Sequence, residues 1–200
     1  MMKLYISPTS PYARKVRMVI IEKGLEDLVE EISLNPLDDG AVDVIPNPLC
    51  LVPTLERERG SALADSHLIC AFLDSLSTRN PLVPDDDARW DVLHLQSLCD
   101  GMMDKAFSAV MERRRPEGER SEAWESRWLV GIDRTLDAIE EGWPNDEPAF
   151  DLGAISLISL LTYLDLRLPE RAWRSSRPKL AAWLESKAAR DSVTRTVYPS

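Results

Sequence analysis

An apolar run that leads straight into a capped helix is the feature that most restricts how this chain can fold. Leu4-Tyr5-Ile6 is typical of a β-strand, and Ser10 and Pro11 follow it as a helix N-cap and a first helical residue. The Ser10 hydroxyl would then lie beside free backbone N–H groups at the positive end of a helix, where an anion such as a thiolate is favoured. Taken alone, the pair favours the simpler interpretation, in which Ser10 only caps the helix.

The spacing of residues 11–24 predicts which side of this helix is buried. Four apolar residues and one lysine recur at helical intervals, whereas three basic residues are expected on the solvent side. The first set is Ala13, Val16, Val19, Ile20 and Lys23, and the second is Arg14, Lys15 and Arg17. Gly24 is a suitable residue to end the helix.

The pattern up to residue 77 predicts an α/β domain. Residues 28–34 are expected to form a strand, and short runs on either side of Arg59-Gly60 are expected to form a hairpin. Asp65-Ser66 then opens a helix whose predicted buried residues are Leu68, Ile69, Phe72, Leu73 and Leu76. An α/β unit followed by a hairpin and a helix fits this order.

After a segment rich in proline and polar residues, the chain is expected to be helical throughout. Val92, Leu95, Cys99, Met102, Ala106 and Val110 indicate one long helix, and Trp128, Ile132, Leu136 and Ile139 indicate the next. Residues 154–166 are apolar on nearly all sides and predict a central buried helix, and Leu180, Trp183 and Leu184 mark a later one. We predict domains at residues 1–77 and 87–200, joined by a linker at residues 78–86.

Charge and residue counts exclude several functions. The net charge of −10 argues against nucleic acid and anionic membranes as partners. There is no apolar stretch of about 20 residues and no signal-peptide pattern. Three cysteines without a C-x-x-C pair indicate a reducing cytoplasm, and two histidines argue against a metal site built on histidine.

Three motifs, in order, resemble those of the cytosolic-type glutathione transferases, in a bacterial-like form with a serine-type active site. They are S-P-T-S-P-Y-A-R-K-V-R at residues 7–17, N-P-L-C-L-V-P-T-L at residues 47–55 and A-D-S-H-L-I-C-A-F-L at residues 64–73. R-P-K-L-A-A-W-L-E at residues 177–185 is similar to a late helix of the family, so the resemblance covers essentially the whole chain. It implies a thioredoxin-like α/β domain that binds glutathione as co-substrate, an all-α domain that contributes the electrophile pocket, and no metal.

The resemblance also implies roles for individual residues. The family's proline at the position of Pro53 is cis, which presents the backbone of Val52 to the cysteinyl part of glutathione. Asp65 and Ser66 match the residues that hold the γ-glutamyl end. The glutathione-binding residues are therefore expected to be Ser10, Leu51, Val52, Pro53, Asp65 and Ser66. Without the resemblance, Pro53 is explained as an ordinary trans proline and Asp65-Ser66 as a helix cap.

Two hydroxyls are candidates for activating the glutathione thiol. Serine-type members of the family place theirs two residues before the proline, which is Thr9 here, and cysteine-type members place a thiol immediately before it, which is Ser10 here. We favour Ser10 because it is the better N-cap, and Thr9 stays open as the alternative.

The chain departs from the family at two places. The family often has glycine and then a basic residue before Val-Pro, whereas this chain has Cys50 and Leu51, and leucine cannot pair with the glycyl carboxylate. At the start of the predicted central helix, Asp151 can act as a cap, but Ala154 cannot return the bond of a capping box.

The second substrate and the assembly are expectations of the same kind. Tyr12, Met102, Met103 and Phe107 are candidates for an apolar electrophile pocket, although ordinary core packing explains a methionine stripe equally well. The resemblance implies a homodimer in which residues 65–76 of one subunit pack on residues 88–110 of the other. Asp100 or Asp104 would then reach the partner's γ-glutamyl group.

Three functions fit these residues. The first is a detoxifying glutathione S-transferase acting on a small electrophile, with isomerase or peroxidase side activity. The second is a thiol-disulfide enzyme of the same fold, which would lack its nucleophile because no cysteine opens the first helix. The third is a non-catalytic binding or regulatory protein, for which Leu51 in place of a base is the best support.

Overall fold

The computed structural model of the protein describes residues 1–143 and 149–199, which divide into two compact units. The first comprises residues 1–85 together with residues 189–199, and the second lies within residues 86–188. The predicted helical domain extended to residue 200, and its residues 144–148 and 200 lie outside the described residues. The last described segment, residues 189–199, packs on the first unit rather than with the helices that precede it.

The first unit contains a four-stranded mixed sheet. Its elements are β1 (Met2–Ile6), α1 (Pro11–Lys23), β2 (Val29–Ser33), α2 (Ala41–Val44), β3 (Thr54–Glu56), β4 (Leu63–Ala64) and α3 (Ser66–Ser75). The strand order is β2-β1-β3-β4, in which β2 is parallel to β1, and β3 is antiparallel to both β1 and β4. This arrangement confirms the predicted thioredoxin-like α/β domain.

The second unit is helical, as the apolar spacing predicts. Its helices are α4 (Ala88–Arg114), α5 (Glu122–Glu141), α6 (Leu152–Arg167), α7 (Trp173–Ser176) and α8 (Pro178–Lys187), and α9 (Asp191–Thr194) follows in the first unit. Helix α6 is buried along almost its whole length, which confirms the predicted central helix. The Asp151 carboxylate accepts a hydrogen bond from the Ala154 N–H at 2.9 Å and caps α6 as expected.

A close approach of α4 and α6 explains the glycine at position 153. A Cβ atom at Gly153 would lie 3.1 Å from the carbonyl oxygen of Val92 and 3.2 Å from a methyl carbon of Leu95. Both residues lie on α4, so a larger residue would force the two helices apart.

Helix α1 is capped as expected, but the prediction for its solvent side is wrong. Gly24 ends the helix in the left-handed conformation, with φ of 65°. The side chains of Arg14 and Lys15, expected in solvent, are only 3% and 0% exposed. The residues that follow α8 account for Arg14, because its guanidinium donates to the Val193 carbonyl at 3.2 Å and to the Thr196 hydroxyl at 3.3 Å.

Helix α3 is buried on a narrower face than the sequence predicts. Ile69, Cys70 and Leu73 are buried, whereas Leu68 is 50% and Leu76 43% exposed, so the prediction for these two leucines is wrong for the single chain. Neighbouring residues of an α-helix point about 100° apart. Leu68 therefore points away from the side that packs on α1.

Among the described residues, no single helix has both the length and the apolar composition needed to cross a membrane. The pair formed by Leu152–Arg167 and Pro169–Ser176 passes that test when taken together, but it is bent by 100° at the break.

Candidate functional site

The sheet register brings the three sequence motifs to one edge of the first unit. Tyr5 of β1 is paired with Thr54 of β3, and Thr54 is paired with Ala64 of β4, so these residues form one row across the sheet. Because β3 is antiparallel to both neighbours, the chain beyond this row comprises the end of β1, the start of β3 and the end of β4. Residues 7–10, 52–53 and 65–66 therefore lie at the same edge.

Ser10 lies at this edge as the N-cap of α1. Its backbone is extended, with φ of −79° and ψ of 122°, and its hydroxyl oxygen accepts a hydrogen bond from the Ala13 N–H at 3.2 Å. A serine hydroxyl that accepts one bond still has its own proton to donate. The half-buried Ser10 can therefore cap the helix and donate to an anion at the same time. Thr9 beside it is also half-buried, and the choice between the two hydroxyls stays open.

The turn before β3 has the backbone geometry that the resemblance implies. The Val52–Pro53 peptide bond is cis, which confirms that expectation. Within the part of the chain that the structure describes, the backbone of Val52 has no backbone hydrogen-bond partner. An extended ligand can therefore pair with its N–H and C=O groups in the manner of an added strand.

Asn47 holds this turn in place, and the sequence prediction missed it. Its buried side-chain amide donates to the Leu51 carbonyl at 3.3 Å and to the Thr54 hydroxyl at 3.1 Å. The Thr54 hydroxyl in turn donates to the Leu51 carbonyl at 2.7 Å. The Asn47-Pro48 pair is a sequence signal for a turn. The sequence does not show, however, that the Asn47 side chain points inward.

Asp65 occupies a strained backbone position at the start of α3. Its φ of 74° and ψ of 125° lie in a region that residues other than glycine rarely adopt, at a cost of about 1–3 kcal/mol. Its carboxylate accepts a hydrogen bond from the His67 N–H at 2.9 Å and is otherwise open to solvent. Ser66, the first residue of α3, is buried. Strain of this kind is often found at binding sites.

The two residues that depart from the family pattern have different surroundings. Cys50 has a φ of 51°, in the left-handed region where glycine is favoured, and its side chain packs against a cluster formed by Tyr5, Ala41 and Ile45. Leu51 is 57% exposed. The position where the family often has a basic residue therefore presents an apolar side chain to solvent.

The candidate residues of the electrophile pocket are divided between the two units. Tyr12 is half-buried in the first unit. On α4 in the second unit, Met102 and Met103 are buried and Phe107 is exposed. The pocket stays a prediction, as do the roles of Asp100 and Asp104.

Comparison with known proteins finds glutathione S-transferases and related proteins, and the matches extend along the whole chain. The family model "Glutathione S-transferase, N-terminal domain" matches residues 9–76, and "Glutathione S-transferase, C-terminal domain" matches residues 122–186. An uncharacterized GST-like protein of Escherichia coli K12 is 31% identical over 99% of both chains.

Solved structures of glutathione transferases are also similar to this chain over its full length. A glutathione transferase family member from Pseudomonas fluorescens Pf-5 with bound glutathione has a TM-score of 0.94 and 35% identity over 100% of both chains. A glutathione S-transferase from Methylobacillus flagellatus KT with glutathione bound has a TM-score of 0.91 and 34% identity, again over 100% of both.

Proposed function

Because this chain belongs to the glutathione S-transferase family, we propose that it binds glutathione at the sheet edge and activates the thiol for attack on a small, largely apolar electrophile. The observation that carries the proposal is the convergence there of two helix N-termini and the cis Val52–Pro53 bond. Relatives that match the chain over its full length were solved with glutathione bound.

The cysteinyl and γ-glutamyl parts of glutathione each have a counterpart at this edge. The backbone of Val52 pairs with the cysteinyl residue, and Pro53 fixes the turn that presents it. At the N-terminus of α3, Ser66 receives the γ-glutamyl carboxylate and Asp65 the ammonium group. Leu51 leaves the glycyl carboxylate to water or to another base.

The reaction follows from the position of Ser10. A free thiol has a pKa of roughly 8.5, so little glutathione is thiolate at neutral pH. A hydrogen bond from Ser10 and the positive end of α1 lower the pKa of the bound thiol. The thiolate sulfur then forms a bond to an electrophilic carbon, which either releases a leaving group with the bonding electrons or passes the charge into a conjugated system. No covalent enzyme intermediate is required.

Replacing Asp65 with asparagine is expected to weaken glutathione binding by about tenfold, since a charge-assisted hydrogen bond contributes about 1–3 kcal/mol. Asparagine preserves the helix cap and tolerates the positive φ, so the stability of the fold should not change. Isothermal titration calorimetry measures the affinity. Equal affinity in the variant and the parent protein would contradict the assignment of Asp65.

Turnover separates catalysis from binding alone. The purified protein is incubated with glutathione and an aryl halide, and conjugate formation is followed by absorbance. Binding with turnover supports a transferase, whereas binding without turnover of any electrophile in a panel favours the non-catalytic alternative. The exposed Leu51 is the observation that favours that alternative.

The proposal includes a homodimer in which α3 of one subunit packs on α4 of the other. The exposed Leu68 of α3 and Leu76, which directly follows α3, support it, because a partner helix would cover them. Light scattering at micromolar concentration should give about twice the 22.6 kDa of one chain. Leu68→Asp should shift the mass toward the monomer, and a monomer mass for the parent protein would contradict the dimer.

We place this detoxifying reaction in the cytoplasm. Within the described residues, Cys50, Cys70 and Cys99 form no disulfide with one another, which fits a reducing compartment.

A further inference from the structure

The turn before β3 presents an apolar side chain next to Val52. Leu51 is 57% exposed. Its carbonyl accepts hydrogen bonds from the Asn47 side-chain amide at 3.3 Å and from the Thr54 hydroxyl at 2.7 Å, so the backbone that carries the leucine is held in one position. The exposed side chain is therefore a fixed part of the candidate site.

In the proposed binding mode, the third residue of glutathione runs beside Leu51. The strands are ordered β2-β1-β3-β4. The γ-glutamyl end lies at the start of α3, which follows β4, and the cysteinyl residue pairs with Val52, just before β3. An extended ligand that runs from the β4 side to Val52 continues toward the β2 side. The third residue therefore passes Leu51 and approaches the segment that follows β2.

The segment that follows β2, residues 34–45, packs against the same turn. The Cys50 thiol donates a hydrogen bond to the Pro36 carbonyl at 3.8 Å. Cys50 and Val52 also pack against the apolar cluster that contains Ala41 of this segment. Residues 34–45 therefore border the path of the third residue.

The charge of this region is unfavourable for a carboxylate. Residues 24–56 contain no lysine, arginine or histidine. The segment that borders the third residue instead carries three exposed carboxylates, those of Asp38, Asp39 and Asp43. A bound carboxylate is stabilised by a positive charge or by N–H donors, whereas like charges repel it. The glycyl carboxylate of glutathione would meet a leucine and three like charges.

From these observations we infer that the preferred thiol substrate is a γ-glutamylcysteinyl compound whose third residue is uncharged, as in an amide or ester of glutathione. The inference rests on the proposed function, because it concerns the third residue of the same ligand. An uncharged end avoids the repulsion from the three aspartates, and an alkyl group on it covers the exposed Leu51. Glutathione itself still binds, without a contribution from its glycyl carboxylate.

The test compares glutathione with its glycyl amide, which has nearly the same shape, by isothermal titration calorimetry on the full-length protein. The amide should bind at least as tightly as glutathione and up to about fivefold more tightly, the scale of interactions between exposed charges. Tighter binding of glutathione than of the amide would overturn the inference.

Leu51→Lys supplies the positive charge that this region lacks. Glutathione should bind to this variant up to about fivefold more tightly than to the parent protein, whereas the affinity for the amide should stay the same. Leu51 is exposed, so circular dichroism should be unchanged.

Leu28→Lys is the matched control. Leu28 is 51% exposed and directly precedes β2, which runs parallel to β1, so it lies at the opposite edge of the sheet. The variant makes the same change of charge and should alter neither affinity.

The outcomes also separate this inference from the proposed function. No gain in glutathione affinity in Leu51→Lys, or equal gains in Leu51→Lys and Leu28→Lys, would overturn the inference and leave glutathione binding established. If neither glutathione nor its amide binds to the parent protein, the proposed function is wrong as well.

Discussion

Replacing Ser10 with glycine is expected to lower turnover at neutral pH by about tenfold to a hundredfold, because losing the hydroxyl should raise the pKa of bound glutathione by about one to two units. Glutathione affinity should change little, since in the proposed binding mode Val52, Asp65 and Ser66 hold the tripeptide. The direct measurement is the ultraviolet absorbance of the bound thiolate as a function of pH. Glycine is chosen because it is a much better N-cap than alanine, so the start of α1 is preserved.

Two further variants separate the candidate hydroxyls. Ser10→Thr keeps both the hydroxyl and the cap, so it should retain the thiolate titration. Thr9→Val removes the alternative donor and should leave the thiolate titration unchanged if Ser10 is the activator. If Thr9 is the activator, Thr9→Val should shift the titration and Ser10→Gly should not. If neither Ser10→Gly nor Thr9→Val moves the titration, thiolate activation at this turn is wrong and the non-catalytic alternative is favoured.

Replacing Arg190 with alanine is expected to destabilise the first unit by about 2 kcal/mol, because it leaves a buried carboxylate without its partner. Glu22 on α1 is buried and accepts hydrogen bonds from Arg190 at 2.8 and 2.6 Å and from the Ser192 hydroxyl at 2.5 Å. Arg190 is 39% exposed, so we expect less than the 3–5 kcal/mol typical of fully buried pairs. Urea denaturation of the full-length protein measures the difference.

The Glu22 carboxylate also makes the stability of the folded protein depend on pH. Burial raises the pKa of Glu22, but the hydrogen bonds from Arg190 and Ser192 and the nearby positive charges lower it by more, so its pKa is below the ordinary value. A lowered pKa in the folded state contributes stability above the unfolded value of about 4.3, and this contribution is lost as pH falls through the folded pKa. The stability difference between the parent protein and Glu22→Gln should therefore shrink below about pH 4.

Glu31→Gln is the control for both measurements. Glu31 pairs with Arg17 at 2.9 Å on the surface, so its loss should cost at most about 1 kcal/mol. If Arg190→Ala is no less stable than Glu31→Gln, the buried pair does not stabilise the unit.

Local signals in the sequence were sufficient to predict the two helix starts at the candidate site and the central helix of the second unit. The Ser10 cap, the helix opened by Asp65 and the apolar α6 each depend on a few neighbouring residues, and all three are present in the structure. The cis bond before Pro53 was expected only through the family resemblance, because the local sequence alone favours trans.

Features set by distant parts of the chain were not predictable in this way. Arg14 and Lys15 are charged residues that would be expected in solvent, yet both are buried. Arg14 donates hydrogen bonds to residues more than 170 positions later in the chain. The inward-pointing amide of Asn47 depends on the position of Thr54, and the place of Gly131 on α5 depends on the approach of Lys105 from α4. No periodicity in the sequence encodes such pairings.

The return of residues 189–199 to the first unit has a consequence for synthesis on the ribosome. This segment is translated only after all of residues 86–188, which takes roughly five seconds or more at 5–20 residues per second. Throughout that interval Glu22 lacks Arg190 and Ser192, and Arg14 lacks Val193 and Thr196. The helix that presents Ser10 is therefore among the first to emerge from the ribosome and among the last to acquire its full set of contacts.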